Sequence, residues 1–506
     1  MEPERVFNLN VGILGHIDSG KTSLARVLST VLSTAALDKS PQSQERGITL
    51  DLGFSALAVP MPGHLSTEYS QLRLTLVDCP GHASLIRTIV AGASIIDKMV
   101  LVVDATKGVQ TQTAECIVIA ELMIKGTLVV ALNKVDMQEE GKIVALEKRV
   151  LGMLGKTRFG GDVRLVRTAA TPRTGEPIGI PQLIDALIGS LATLPIRNPS
   201  GPMIYAIDHC FPLKGQGTVM TGTILQGELR VGDTLEIADL GVCKKVKSMQ
   251  SFHQTVTYAT QGDRVGVRVT QFEAETLERG MASAPGALRK AANCLIELNP
   301  IVHYKQTIRN KAKFHILLGN ETTMGTLLLF SCPSSDLGAS FDPSMEYLYE
   351  DEVRNDQIRR IFAVISFETP VVMIPNALLI GSKLDTDVNA KTCRLAFHGS
   401  VLRSDIPLSM DYLKIFKPNS RAGEVDRVTD PYTAIVKDLF KKGTDISKFT
   451  GLRVRLEPSG AEGTIEGSFG GSGKCRVVFS AGNATMGTIV LPFKKMLFDT
   501  ANRLFQ

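Results

Sequence analysis

Apolar positions along the first two hundred residues fall into short runs separated by amphipathic stretches. Residues 6–14, 72–77, 99–103, 128–132 and 163–168 read as apolar strands. Between them, residues 21–32, 84–96 and 112–124 carry the three-to-four-residue apolar spacing of helices. This alternation predicts a multidomain α/β plus all-β chain, whose first part is a mostly parallel sheet with helices on both faces over residues 5–195. Residues 195–202, PIRNPSGP, have the Pro and Gly content of a linker. Beyond them the texture changes. Runs such as TGTILQGELRVGDTLEI, residues 221–237, place short β-rich segments between Gly and Asp turns. Helical spacing is largely absent from there on, which predicts small β-barrels. With breaks near residues 290 and 408, the expected division is 1–197, 198–290, 291–407 and 408–506.

The length of 506 residues agrees with three or four domains. Hydrophobic residues at 44% and charged residues at 21% are ordinary for a globular protein. Residues 1–10 lack a secretory or transit pattern. No apolar run approaches the ~20 residues of a membrane span. The expectation is a cytoplasmic protein with no membrane partner. None of the eight cysteines stands at CxxC spacing, so separate buried thiols are expected rather than disulfides or a zinc ribbon. Net charge is +5 overall, and residues 411–506 alone hold 15 Lys and Arg against 10 acidic residues. The basic excess therefore lies in the last module, which fits either a nucleic-acid partner or a solvated surface.

The chemistry begins at Gly15-His16-Ile17-Asp18-Ser19-Gly20-Lys21-Thr22, a full GxxxxGK[ST] loop between an expected strand and an expected helix. Backbone N–H groups of Asp18, Ser19 and Gly20 can curl round phosphates, with the helix N-terminus adding positive potential. Lys21 can reach the outer phosphates, and the Thr22 hydroxyl can ligate Mg²⁺. Asn133-Lys134-Val135-Asp136 follows another strand, about 110 residues later. A carboxylate at Asp136 can accept from guanine N1–H and the exocyclic amine, which adenine does not offer, so the pattern specifies GTP and GDP. Ala169 and Ala170 can complete the base pocket through their N–H groups. Asp78-Cys79-Pro80-Gly81-His82 and Arg46-Gly47-Ile48-Thr49 would sense the γ-phosphate: Asp78 through a metal-bound water, Gly81 through its N–H, and Thr49 as a second hydroxyl on the metal. His82 is either a surface histidine at a turn or a group that positions water beside Gly81.

GHIDSGKT, RGIT, DCPGH and NKVD in this order resemble the translational GTPases of the elongation factor Tu superfamily, over residues 5 to about 400. The resemblance implies that His82 is the catalytic residue orienting the hydrolytic water, and that Ile17 and Ile48 form an apolar gate restraining it until the ribosome triggers hydrolysis. RGITLDLGF, DCPGHASLIRTIVAGASIID, IDHCFPLKGQGTVMTGTI and the module after residue 408 are similar to the selenocysteine-specific elongation factors. That family delivers selenocysteinyl-tRNA to the ribosome at recoded stop codons, with a recoding-element RNA or its binding protein as further partner. A monomer is expected. The resemblance also places Asp208, His209 and Arg264 near the aminoacyl group. By themselves they read as a barrel-surface Asp–His pair and a turn arginine. With the resemblance, Arg264 and His209 would contact the selenolate, and Asp208 would orient His209. In the last module Lys441, Lys442, Lys448, Arg453, Arg455, Lys474, Lys494 and Lys495 are candidates for contacts with tRNA phosphates or a partner protein. Two alternatives stay open: another tRNA- or ribosome-handling GTPase, and a sulfate-activating GTPase subunit, a type that also resembles this superfamily.

Overall fold

The computed structural model describes residues 6–29, 31–32, 53–65, 68–79, 95–124, 126–161, 163–197, 199–213, 215, 217–319, 321–332, 341–354, 359–374, 376–385, 393–407, 413–498 and 504–505. Its first part is a seven-stranded sheet. In chain order its elements are β1 (Val6–Gly15), α1 (Lys21–Leu28), β2 (Val31–Leu32), β3 (Gly53–Pro60), β4 (Gln71–Asp78), β5 (Lys98–Asp104), α2 (Thr111–Met123), β6 (Val129–Asn133), α3 (Glu140–Leu154), β7 (Arg164–Arg167) and α4 (Ile180–Gly189). The spatial order is β2-β3-β4-β1-β5-β6-β7. Strands β4, β1, β5, β6 and β7 run parallel, while β2 and β3 add an antiparallel edge. The parallel sheet with helices matches the fold class expected from the sequence.

β1 shows why this strand has both apolar and polar alternate positions. Phe7, Leu9, Val11 and Ile13 are buried on one face, in a cluster with Leu24 and Leu28 of α1. The intervening Asn8 and Asn10 are also buried. Their amides both donate to the Gly262 carbonyl oxygen of the second β region, at 2.7 and 2.9 Å. Thr75 donates to Asn8 Oδ1 at 2.6 Å. Buried amides need such partners, so the polar half of β1 is a docking edge for the next part of the chain. Arg197, in the linker, ties the same corner: it forks onto Asp97 at 2.7 and 2.8 Å and donates to the Asn8 carbonyl oxygen at 2.8 Å.

α3 is one-sided, with Ile143, Leu146, Val150 and Leu154 buried. α2 is apolar nearly all round, as a helix covered on both sides must be. Its Cys116 to Ala120 segment packs in one cluster with Leu317, Val372, Ile380 and Leu395 of the third β region. Glu115 on α2 meets Arg394 in a buried fork, at 3.0 and 2.9 Å. Replacing Glu115 by Gln leaves the guanidinium without its counter-charge. The expected loss is roughly 1.5–3 kcal/mol, read as a lower urea midpoint; an unchanged midpoint would mean that the apolar contacts alone hold α2 to the barrel.

The rest of the described chain is mainly antiparallel β-structure. β8 (Ile204–Leu213) and β9 (Gly217–Gln226) lie in an eight-stranded sheet that closes round Tyr205, Met220, Leu235, Met249 and Val267. From Arg289–Pro300 onward, fourteen strands form one continuous hydrogen-bonded sheet with separate cores, one around Phe314, Leu329 and Phe397 and another around Val436, Leu456, Phe479 and Leu491. Tyr347–Tyr349 pairs in parallel with Ile415–Asp430, so the third and fourth β regions share a sheet edge. All eight cysteines are free thiols. Among the described residues no helix is long and apolar enough to cross a membrane.

Candidate functional site

The nucleotide residues meet where the parallel strands end. Register sets Ile13 of β1 against Asp78 of β4, and Asp104 of β5 against Asn133 of β6, so four loops open at one edge, the usual ligand crevice of such sheets. The phosphate loop leaves β1 through Gly15, φ 155°, and enters α1 through Gly20, φ 89°. A Cβ on Gly20 would lie 2.2 Å from Asn133 Nδ2, so only glycine fits against the base-side strand. Asp18 also takes a left-handed backbone, φ 60°. Lys21 is buried and donates to the His16 carbonyl oxygen at 2.8 Å. Burial lowers its pKa, with Asp78 pulling the other way.

Thr22 Oγ1 donates to Asp78 Oδ2 at 2.6 Å. These two oxygens, from the loop and from the end of β4, are the right donor set for a hard cation. Ser19 Oγ is buried with no hydrogen-bond partner among the described residues. An orphaned hydroxyl inside a phosphate loop, beside a Thr–Asp oxygen pair, fits a phosphate–Mg²⁺ group. Thr49, Gly81 and His82 lie outside the described residues, and so does Ile48, the second half of the gate. Ile17 is described: its N–H donates to Gln112 Oε1 of α2 at 3.4 Å.

On the base side, Asn133 braces the loop. Its Nδ2 donates to the Ser19 carbonyl oxygen at 2.9 Å, and its Oδ1 accepts from the Ala170 N–H at 3.1 Å. Lys134, left-handed at φ 64°, donates to the Asp18 carbonyl oxygen at 2.5 Å and to Asp104 at 2.8 Å. Asp136 is exposed and accepts from the Arg173 N–H at 3.2 Å. Ala169 is pinned by an antiparallel bridge to Ile178. Sequence reasoning missed Asp104. Burial would push its carboxyl up, but hydrogen bonds from Lys134 and Thr106 together hold it below the usual range. The signal was available: Asp104 ends a parallel strand, as Asp78 and Asn133 do.

The second cluster lies where β3 meets the second β region. Arg264 and Asp208 are both buried and joined in a fork: one bond measures 3.0 Å, Nη2 to Oδ1, and Nη1 donates to Oδ2. Thr221 also donates to Asp208 Oδ1, at 2.8 Å. The sequence reading gave Asp208 the task of orienting His209. In the structure both oxygens of Asp208 are directed to Arg264, whose guanidinium needs a counter-charge once it is out of water. Phe54, the last residue of RGITLDLGF and given no role by the sequence, supplies the face of the site. Its buried ring centroid lies 3.2 Å from the Arg264 guanidinium carbon, and His209 meets it edge-on at 6.4 Å. Gly53 pairs with Asp78 in register, so Phe54 is one residue from the metal-side carboxylate. In the last β region, Lys474 and Lys494 are engaged with Asp426 and Glu346, each at 2.7 Å, whereas Lys441, Lys448 and Arg453 are exposed.

Comparison with known proteins gives four family matches. The elongation factor Tu GTP binding domain matches residues 7–193, and elongation factor Tu domain 2 matches residues 217–282. The third domain of eukaryotic selenocysteine-specific elongation factor matches residues 295–399, and the eEFSec C-terminal RIFT domain matches residues 411–496. The selenocysteine-specific elongation factor of Mus musculus is 47% identical over 523 residues, spanning 94% of this chain and 89% of that protein. The protein of that name from Methanocaldococcus jannaschii is 33% identical over 469 residues, spanning 92% and 93%. Among solved structures, translation elongation factor SelB from Methanococcus maripaludis in complex with the GTP analogue GPPNHP superposes with a TM-score of 0.76 at 27% identity, covering 97% of this chain and 99% of that one.

Proposed function

The chain belongs to the selenocysteine-specific elongation factors, and we propose that it carries selenocysteinyl-tRNA to the ribosome as a GTP complex and lets it go when the GTP is hydrolysed. One observation carries the reading: a guanine-type phosphate-loop site, with Asp78 at the end of β4, and a buried Arg264–Asp208–Phe54 cluster, with Phe54 on β3, meet across the β3–β4 pair, where Gly53 stands opposite Asp78. A change at the γ-phosphate therefore has a one-residue path to the cargo cluster.

Each residue then has a task. Backbone N–H groups of Asp18 to Thr22 and of Gly81, with the Lys21 ammonium, hold the phosphates. Asn133 braces the loop, Lys134 covers the base side and Asp136 reads guanine; Ala169 and Ala170 wall the base pocket, their N–H groups being held by the Ile178 carbonyl oxygen and by Asn133 Oδ1. Thr22 and Thr49 would hold Mg²⁺, with Asp78 through water, and the bound ion would supply positive charge at the outer phosphates. His82 orients the attacking water, and Ile17 with Ile48 restrains it until the ribosome acts. Arg264 and His209 face the selenolate, with Phe54 fixing the plane of the guanidinium. A serine hydroxyl, uncharged at neutral pH, gains nothing from that charge.

The finer parts of the proposal concern the last β region and the setting. Its exposed lysines and arginines contact tRNA phosphates, a recoding-element RNA or the protein that binds that RNA; the protein works as a monomer in the cytoplasm. A sulfate-activating role has no support from the relatives, which carry the name of selenocysteine-specific elongation factor. Filter binding with GTP and a panel of charged tRNAs separates the readings. Retention of selenocysteinyl-tRNA well above seryl-tRNA is expected. Equal retention of ordinary aminoacyl-tRNAs, or of none, would replace the proposal with one of the alternatives.

A further inference from the structure

We propose that Arg421, held against three phenylalanine rings of the last β region, is a fork for the phosphodiester backbone of a structured RNA, with Lys441, Lys442 and Lys448 widening it into one contact surface. The inference rests on the reading of the chain as a carrier of selenocysteinyl-tRNA. Arg421 lies in the long strand Ile415–Asp430, opposite Leu491. Its guanidinium carbon stands 4.7 Å from the ring centroid of Phe449, 5.4 Å from that of Phe440 and 5.9 Å from that of Phe493. The rings brace one another, Phe440 and Phe449 at 4.6 Å and Phe449 and Phe493 edge-on at 6.4 Å. All three are buried in the core of that region, while Arg421 is half-buried. A Cβ on Gly423 would lie 2.6 Å from the Leu439 nitrogen, so the strand passes hard against the segment that carries Phe440.

Ring faces attract a cation without neutralising it. Among the described residues, the Arg421 guanidinium meets no carboxylate and makes no hydrogen bond, so a planar set of N–H donors is left for a ligand. Lys441 and Lys442 directly follow Phe440, and Lys448 directly precedes Phe449. All three are exposed, and none forms an ion pair with a described residue. The one acidic residue between the two rings, Asp445, turns its Oδ1 to the N–H and hydroxyl of Ser447, at 3.2 and 2.6 Å. The guanidinium fork matches the paired oxygens of a phosphate. A protein partner would ask for an apolar centre to the contact, but no large apolar side chain is exposed across residues 433–485. A phosphodiester backbone asks only for charge and donors.

The test is equilibrium binding by the full-length protein with GTP, over a salt titration, to selenocysteinyl-tRNA, to seryl-tRNA and to an isolated recoding-element RNA. Arg421→Gln is expected to weaken binding of the RNA that uses the site by about tenfold, and to flatten the slope of log affinity against log salt by about one. Arg421→Lys keeps a cation on the rings, so the slope should stay at the wild-type value while affinity still falls for want of the fork; it also serves if the first variant fails to fold. A loss on the tRNAs names tRNA as the source of the phosphate, and a loss on the isolated RNA names the recoding element. Unchanged affinity and slope on every RNA would overturn the site and leave the surface to an acidic protein. The ratio of selenocysteinyl- to seryl-tRNA binding reports separately on the carrier reading. Backbone contacts carry no cargo information, so both variants should keep the wild-type ratio; a wild-type ratio near one would sink that reading while an Arg421 effect stood.

Discussion

Asp136→Asn is expected to turn the nucleotide preference from GTP to xanthosine triphosphate. On the proposed reading the carboxylate takes two hydrogen bonds from guanine, whereas an amide can take only one while setting its own N–H₂ against the guanine amine. At roughly 1.5–3 kcal/mol for the one bond lost to a charged group, GTP affinity should drop by about one to two orders of magnitude. Xanthine replaces that amine with a carbonyl and so restores the match. The flanking geometry stays intact, because Asn133 and Lys134 brace the loop independently of Asp136. Competition binding of the two triphosphates checks this. Undiminished GTP binding would mean that another group reads the base.

Arg264→Ala is expected to damage the protein twice. Arg264 and Asp208 are both buried, at 4% and 6% exposure, and deleting one partner strands the other charge away from water. Such losses run to about 3–5 kcal/mol, so the second β region should melt earlier as well as lose its preference for selenocysteinyl-tRNA. Arg264→Lys separates the two effects. It keeps a cation for Asp208 but loses the planar fork and the flat face on Phe54, so stability should largely recover while discrimination against seryl-tRNA does not. If the lysine variant discriminates as wild type does, charge alone selects the cargo and the plane held by Phe54 is irrelevant.

The nucleotide site was legible in the chain because its parts are local. GHIDSGKT and NKVD each occupy one strand-end loop, where glycine, hydroxyl and carboxylate must stand at fixed spacing. The parallel sheet was legible for a related reason, since continuous apolar runs such as residues 99–103 are buried on both faces. What stayed hidden depends on tertiary register. Asp104 acquires its task only because β5 ends level with β6. Phe54 stood only as the last residue of RGITLDLGF, and its task shows only when β3 is set against the second β region. Asn8 and Asn10 sit in an apolar pattern with no local reason; their partner, the Gly262 carbonyl oxygen, is some 250 residues away. The shared sheet of the third and fourth β regions was equally invisible, because a parallel pairing between distant strands leaves no mark in either one.

The coupling between nucleotide and cargo is tested most directly by the release rate of selenocysteinyl-tRNA from one preparation, followed before and after its bound GTP is hydrolysed in a single turnover. The account predicts slow release with GTP and release about a hundredfold faster with GDP, a coupling of the usual allosteric size. Identical rates in the two states would contradict it, whatever the affinity for either nucleotide.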